Sequence, residues 1–204
     1  MNAGQYRAVC ERLQLSQALP VTPDWSAAPD FLQCIIDDCL EQRPSLILEC
    51  SSGLTTVVLA RCCQLNGCGH VYSLENGAEF ADATRALLTG FGVAQQATVL
   101  HAPLEAVTLD AAEYRWYSRR RLPAGRFDML VIDGPPGFLQ RHSRYPALPL
   151  LHDRLADDCT VFLDDAARED ERGIVALWLA GFPAFEHEYL DLERGCSVLR
   201  RRAS

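Results

Sequence analysis

The chain has 204 residues, 49% of them hydrophobic and 23% charged, enough to build one sizeable core, and a single domain over residues 1–204 is expected. A net charge of −8 argues against a duplex nucleic-acid partner, whose phosphates need a basic face. No apolar run has the length of a membrane helix, and the polar start MNAGQYRAVCERLQ does not read as a signal peptide, so a cytoplasmic protein with no membrane partner is expected.

In chain order, a helix is predicted over residues 3–17, followed by the Pro-rich loop ALPVTPDWSAAPD. Asp30 or a neighbour can cap a second helix over Phe31–Glu41, whose apolar residues recur at helical spacing. Arg43-Pro44 stops it. A strand Leu46–Cys50 leads into a small-residue turn, Cys50-Ser51-Ser52-Gly53, and a helix Thr55–Gln64. A second strand, His70–Leu74, is followed by a helix Ala78–Thr89 that ends at Gly90. A third strand spans 97–102, and residues 108–126 form a polar insertion holding Tyr114, Trp116 and Tyr117.

The strand FDMLVID ends at Asp133, where GPPG forbids continuation. A helix over Tyr145–Leu155, a strand over 160–165 and a helix over Glu169–Leu179 come next. The segments FEHEYLDL and CSVLRR alternate and read as an antiparallel hairpin. The expected fold is α/β: a Rossmann-like, doubly wound, mostly parallel seven-stranded sheet with a C-terminal antiparallel hairpin.

Nine cysteines read as free, mostly buried thiols of a reducing compartment. Cys62, Cys63 and Cys68 lack the partners that would complete a zinc site. The arginine clusters 119–121 and 200–202 read as solvated charge.

The functional signal lies in LILECSSGLTTVVLA. A strand, a tight small-residue turn and a helix let a ligand approach the backbone at a helix N-terminus. The first strand carries Glu49 near its end, and the second ends on Glu75, where nucleotide-binding folds hold ribose hydroxyls. The bland alternative makes both acids solvated strand-end charges. Asp128 reads as a turn or sheet-edge residue and His101 as a satisfied core histidine. His142, in a polar loop near Asp133, is a candidate base.

With these elements in place, the chain resembles the class I methyltransferases that use S-adenosylmethionine, most of all methyltransferase family 24. The resemblance rests on PSLILECSSGLTTVVLA, HVYSLE, ATVLHAPL, FDMLVIDGPP, RYPALPLL and TVFLDDAARED, followed by the terminal hairpin. It implies that Glu49 sits by the methionine amino group and that Ser51, Ser52 and Gly53 pass under the cofactor. It further implies that Glu75 takes the ribose hydroxyls, that Ala102, Pro103 and Leu104 line the adenine, and that Asp133 faces the methyl donor. The family usually has glycine where this chain has Ser51. The implied activity is methylation of a small-molecule acceptor, with O-methylation the expected form. The N-terminal region, 1–30, and the 108–126 insertion are the expected substrate lid, and a homodimer is left open.

Two mechanisms fit these residues. In one, Asp133, Asp164 and Asp165 hold Mg²⁺, which acidifies a substrate hydroxyl, as in catechol-type O-methyltransferases. There the acid on the fifth strand is followed by an amide residue, whereas here Asp165 is followed by Ala166. In the other, Asp133 or His142 is the base and no metal takes part. The alternatives of a different kind are a non-catalytic S-adenosylmethionine- or nucleotide-binding protein and an NAD-dependent oxidoreductase. Against the latter, GxGxxG is absent and the chain has no lysine for a Tyr-x-x-x-Lys pair.

Overall fold

The structure is a computed structural model that describes residues 3–201 except Asp24; Arg202 of the terminal arginine cluster lies outside the described residues. Helices α1 (Ala3–Arg12) and α2 (Pro29–Gln42) precede strand β1 (Leu46–Cys50) and helix α3 (Leu54–Asn66). Strand β2 (His70–Glu75), helix α4 (Ala78–Gly90) and strand β3 (Ala97–His101) complete the first half. The second half holds β4 (Leu104–Leu109), β5 (Ala112–Tyr117), β6 (Phe127–Ile132), α5 (Ala147–Leu151), β7 (Leu155–Asp164), α6 (Glu169–Gly181), β8 (Phe185–Leu190) and β9 (Cys196–Arg201).

Seven strands form one sheet in the order β3-β2-β1-β6-β7-β9-β8. The first five of that order run parallel, and β9 pairs antiparallel with both β7 and β8. The fold therefore matches the predicted class. Strand side chains alternate between two apolar layers, as the two-residue repeat requires. Ile47, Val71, Met129 and Val131 pack with α1–α4, while Leu48, Leu74, Leu130 and Ile132 pack with α5 and α6. The chain turns from one direction along the sheet to the other between β1 and β6. This is the switch point where open α/β sheets bind ligands beyond their strand ends.

Several expected boundaries move. α1 ends at Arg12 rather than near Gln17, with Gln14 in a left-handed turn. α2 starts on Pro29 after Ala28, so Asp30 is not its cap; one Asp30 oxygen accepts from Phe31 N and the other from Glu193 N on the β8–β9 turn. Gly90 stays helical, and the left-handed residue is Gly92. The helix expected over 145–155 is cut to five residues, because Arg154 is in a 3-10 turn and Leu155 already opens β7.

The polar insertion is itself ordered. β4 and β5 form a separate two-stranded hairpin closed by Asp110 and Ala111, both with positive φ, the geometry of a tight primed turn. Tyr145 donates to Asp110 across 2.8 Å, and Gln140 bonds the Arg115 backbone in both directions, so the hairpin is fastened to the segment after β6. Asp128 accepts from Ser45 N and Leu46 N and ties β6 to the start of β1, a structural role.

Candidate active site

The C-terminal ends of β1, β2, β6 and β7 bring five acids to one edge: Glu49, Glu75, Asp133, Asp164 and Asp165. Glu49 is fully buried. Thr56 Oγ1 donates to its Oε2 across 2.7 Å and Ser73 Oγ donates to the same oxygen, while Oε1 has no partner. Burial raises the Glu49 pKa to about 8 against the pull of these two hydroxyls, and Asp133 and Glu75 push it further. The side chain is therefore largely neutral at pH 7, with one buried oxygen that has no hydrogen-bond partner.

The turn after β1 keeps the shape of a glycine loop. Ser51 has φ 137, a conformation that favours glycine, and its N–H bonds Leu74 O at 3.1 Å. Gly53, at φ 115, precedes α3, and its N–H is taken by Thr56 Oγ1. Glu75 is nearly buried and held from two sides, by Ser52 Oγ at 2.6 Å and Gly77 N at 2.9 Å. Ala102 is buried, with its N–H on Glu75 O, while Pro103 is exposed and Leu104 half-buried at the start of β4.

Tyr117 reaches the switch point from the hairpin. A Cβ on Gly134 would collide with its hydroxyl, and would also lie 3.2 Å from the Cys50 carbonyl and 3.5 Å from Ser51 Cβ. Tyr117 and Trp116 are both buried, so the hairpin lines the interior of this end of the sheet. Gly134 is required there by this close approach.

On the other side of the switch point, Asp133, Asp164 and Asp165 offer carboxylate oxygens within 4.8 Å of one another. Arg144 lies among them with its side chain only 3% exposed. Its Nη2 is 3.2 Å from Asp133 Oδ1 and 2.9 Å from Asp165 Oδ2. It also donates to the carbonyls of Asp133 and Asp164, each at 2.9 Å. Arg168 adds a second guanidinium 2.9 Å from Asp165 Oδ2. Asp165 has φ 59, so the turn after β7 places its carboxylate by a left-handed backbone. Burial pushes Asp164 well above the carboxylate range, reinforced by Asp133 and Asp165. Asp133 rises to about 6, because burial outweighs the pull of Arg144. Asp133 is the more accessible acid, 17% exposed against 4% for Asp165. A shallow cavity of about 330 Å³ lined by Asp165, Ala167, Arg168 and Arg194 opens beside this cluster.

The family model described as a methyltransferase domain, that of family 24, matches residues 48–166, from β1 through the end of β7. The chain belongs to this family. No curated protein matches it by sequence. Among solved structures, this methyltransferase is similar to the SAH-bound methyltransferase PaMTH1 of Podospora anserina, with a TM-score of 0.70 and 15% identity over 98% of this chain and 88% of the other. The O-methyltransferase of Bacillus cereus in complex with SAH aligns with a TM-score of 0.67 and 15% identity, over 99% of this chain and 92% of that one. TomG, an O-methyltransferase of Streptomyces achromogenes in complex with SAM, gives 0.66 and 13%, over 100% and 91%.

The methyltransferase thus gathers Glu49, Ser51, Ser52, Gly53, Glu75 and Asp133 at one end of the sheet, with Asp164 and Asp165 next to Asp133. His142 is drawn elsewhere. Its N–H donates to Asp170 Oδ2 at 2.6 Å, its ring Nε2 is 3.7 Å from Asp170 Oδ1, and the ring packs over Gly173 of α6. Among the described residues no hydrogen bond or ion pair joins it to Asp133. His101 is half-buried rather than a core residue. Arg144 and the second-layer hydroxyls of Thr56 and Ser73 were not legible in the sequence. Arg144 sits in an irregular stretch, RHSRYP, where no periodicity marks a side chain as inward-facing.

The residues fit an adenosyl cofactor better than a divalent ion. For the cofactor there is an unpartnered oxygen on Glu49 and a glycine-shaped loop. For the ion, Asp164 Oδ2 and Asp165 Oδ1 are unpartnered, but Asp133 and Asp165 already share a guanidinium nitrogen through their other oxygens, and Arg168 adds a second positive charge.

Proposed function

We propose that this methyltransferase uses S-adenosylmethionine and methylates a hydroxyl of a small molecule. The observation that carries the reading is the convergence of Glu49, the Ser51–Gly53 loop and Glu75 at the switch point. Glu49 Oε1 is the acceptor for the amino group of the methionine moiety, and a positive charge there draws the carboxyl into its ionised form. The loop backbone at the start of α3 passes under the cofactor, with the Ser51 and Gly53 N–H groups already engaged by Leu74 O and Thr56 Oγ1. Glu75 takes the ribose hydroxyls, and Ala102, Pro103 and Leu104 lie along the adenine. The SAH- and SAM-bound neighbours support the same cofactor class.

When bound, S-adenosylmethionine supplies an electrophilic methyl group on a sulfonium. The chain's task is to hold the acceptor in line and take its proton. Asp133 is assigned as that base: it stands at the switch point, it is the more exposed carboxylate of the pair on Arg144, and its raised pKa makes it a better proton acceptor than an ordinary aspartate. The acceptor approaches through the opening by Arg168 and Arg194. Tyr117 and Trp116 exclude water on the hairpin side. Nine cysteines without a disulfide suit a reducing compartment and support a cytoplasmic location.

Calorimetry with S-adenosylmethionine, S-adenosylhomocysteine and NAD tests the reading. S-adenosylhomocysteine is expected to bind in the micromolar range, about −8 kcal/mol, and NAD is not. NAD binding, or no adenosyl ligand bound, overturns it.

A further inference from the structure

We propose that Arg144 is the resident cation of the acidic edge, so that Asp133, Asp164 and Asp165 are organised by a guanidinium and not by a divalent metal. Three carboxyl groups this close are stabilised by a positive charge among them. The chain supplies one, and the fit is close: Nη2 reaches Asp133 Oδ1, Asp165 Oδ2 and the Asp133 carbonyl, while Nη1 reaches the Asp164 carbonyl and faces Glu171 Oε1 at 3.8 Å. Five oxygens surround one planar, permanently charged group, the kind of array for which arginine is suited and a hydrated ion is not.

A magnesium ion on these carboxylates would lie about 2.0–2.1 Å from its ligand oxygens. On Asp133 Oδ1 and Asp165 Oδ2 it would share both with Nη2. Arg144 is buried and bonded to two backbone carbonyls, so it cannot swing aside without breaking them. Arg168 brings a second positive charge to Asp165, and the residue after Asp165 is Ala166, which has no side-chain ligand. Two fully buried oxygens, Asp164 Oδ2 and Asp165 Oδ1, have no partner, and together with Asp133 Oδ2, on the more exposed acid, they are the oxygens an ion would have to use beside the guanidinium. Arg144 is on this account a positioning residue. It fixes Asp133 by both its side chain and its carbonyl, and so sets the direction of the base.

The test is metal binding itself, which stands whether or not the adenosyl-cofactor reading survives its own calorimetry. Wild-type protein is titrated with Mn²⁺ and free ion is followed by its paramagnetic resonance signal, alongside melting with Mg²⁺ or with chelator. The expected result is no bound Mn²⁺ at millimolar concentration and no change in melting temperature. Arg144→Met should open the site, giving Mn²⁺ binding at least tenfold tighter than wild type and a melting temperature that rises with the ion. Should Arg144→Met not fold, the wild-type titration decides alone. Stoichiometric Mn²⁺ binding by the wild type that is lost in Asp164→Asn or Asp165→Asn overturns the proposal. So does a folded Arg144→Met that binds Mn²⁺ no better than wild type.

Discussion

Ser52 donates its hydroxyl to Glu75 across 2.6 Å, so the first-strand loop already holds the acid at the end of the second strand. Thr84 on α4 stands 3.0 Å from the same hydroxyl, and Gly77 N takes the other carboxylate oxygen. Glu75 is thus fixed in orientation before any ligand arrives, and less of its freedom is lost on binding.

Glu75→Ala should weaken S-adenosylhomocysteine at least tenfold, since hydrogen bonds to a charged group are worth about 1.5–3 kcal/mol each. Ser52→Ala removes only the orienting bond, and a smaller loss is expected. Calorimetric affinities for the two variants check the order. Unchanged affinity in Glu75→Ala would show that this acid does not face the ligand.

Ser51→Gly should stabilise the protein. A non-glycine residue at φ 137 stores strain, on the order of 1–3 kcal/mol. In a chain of this size about 1 kcal/mol moves the melting temperature by about 2–4 °C. Removing Cβ also widens the loop where the cofactor is proposed to pass, so affinity should rise. Ser51→Ala, which keeps Cβ, should show neither gain. A lower melting temperature in Ser51→Gly would mean that the serine hydroxyl contributes more than the backbone strain costs.

Cofactor affinity should depend on pH through Glu49. Its folded pKa, about 8, lies above the ordinary 4.5. A raised carboxyl pKa means the neutral form suits the unliganded fold, so its share of stability is present below pH 4.5 and lost as pH rises toward about 8. A ligand ammonium reverses the preference. S-adenosylmethionine should therefore bind more tightly from pH 6 to 8, with proton release about one per site below pH 8. Glu49→Gln should abolish this dependence, weaken binding and make the unliganded protein more stable at pH 8. Calorimetry in buffers of different ionisation heat counts the protons.

Asp133→Asn should lower the turnover number by about 10²–10⁴, the usual range for a general base. His142→Ala should leave turnover within severalfold, because its ring is engaged with Asp170 and α6. Rates for both variants with one hydroxyl acceptor decide between the two candidate bases. The reverse order would move the proton to His142.

Much of this arrangement was legible because it depends on local pattern. The strands are short apolar runs with acids at or near their ends, and the antiparallel pair followed from FEHEYL and CSVLRR alternating around Glu193-Arg194-Gly195. The gathering of Asp133, Asp164 and Asp165 also followed from strand order alone. What could not be read is what faces those acids. Arg144 reaches them from a stretch with no regular repeat, and a guanidinium among carboxylates leaves no mark in sequence spacing. The β4–β5 hairpin was missed for a related reason. Its turn, Asp110-Ala111, lacks the glycine that usually advertises a left-handed pair, and Asp110 is held in place by Tyr145, distant in sequence. Gly90 misled in the opposite sense, since a glycine near a helix end need not be the residue that turns left.

The sheet order β7-β9-β8 leaves the later strand of the terminal hairpin inside and the earlier one as the border. β8 is therefore one of the sheet's two borders, β3 being the other, and at this end it is the strand that must not pair with another molecule. Its outward run is Glu186-His187-Glu188, exposed and acidic, the kind of border that repels a second copy. Arg200 spans from Glu188 to Asp38 on α2 at 3.5 Å each, clasping the border strand to the helical layer. Were β9 to peel away, β8 would leave with it, and the bare ladder of β7, apolar from Cys159 to Leu163 apart from Thr160, would become an adhesive edge. At this border, resistance to pairing with a second copy thus rests on one six-residue strand and the charges of the strand outside it.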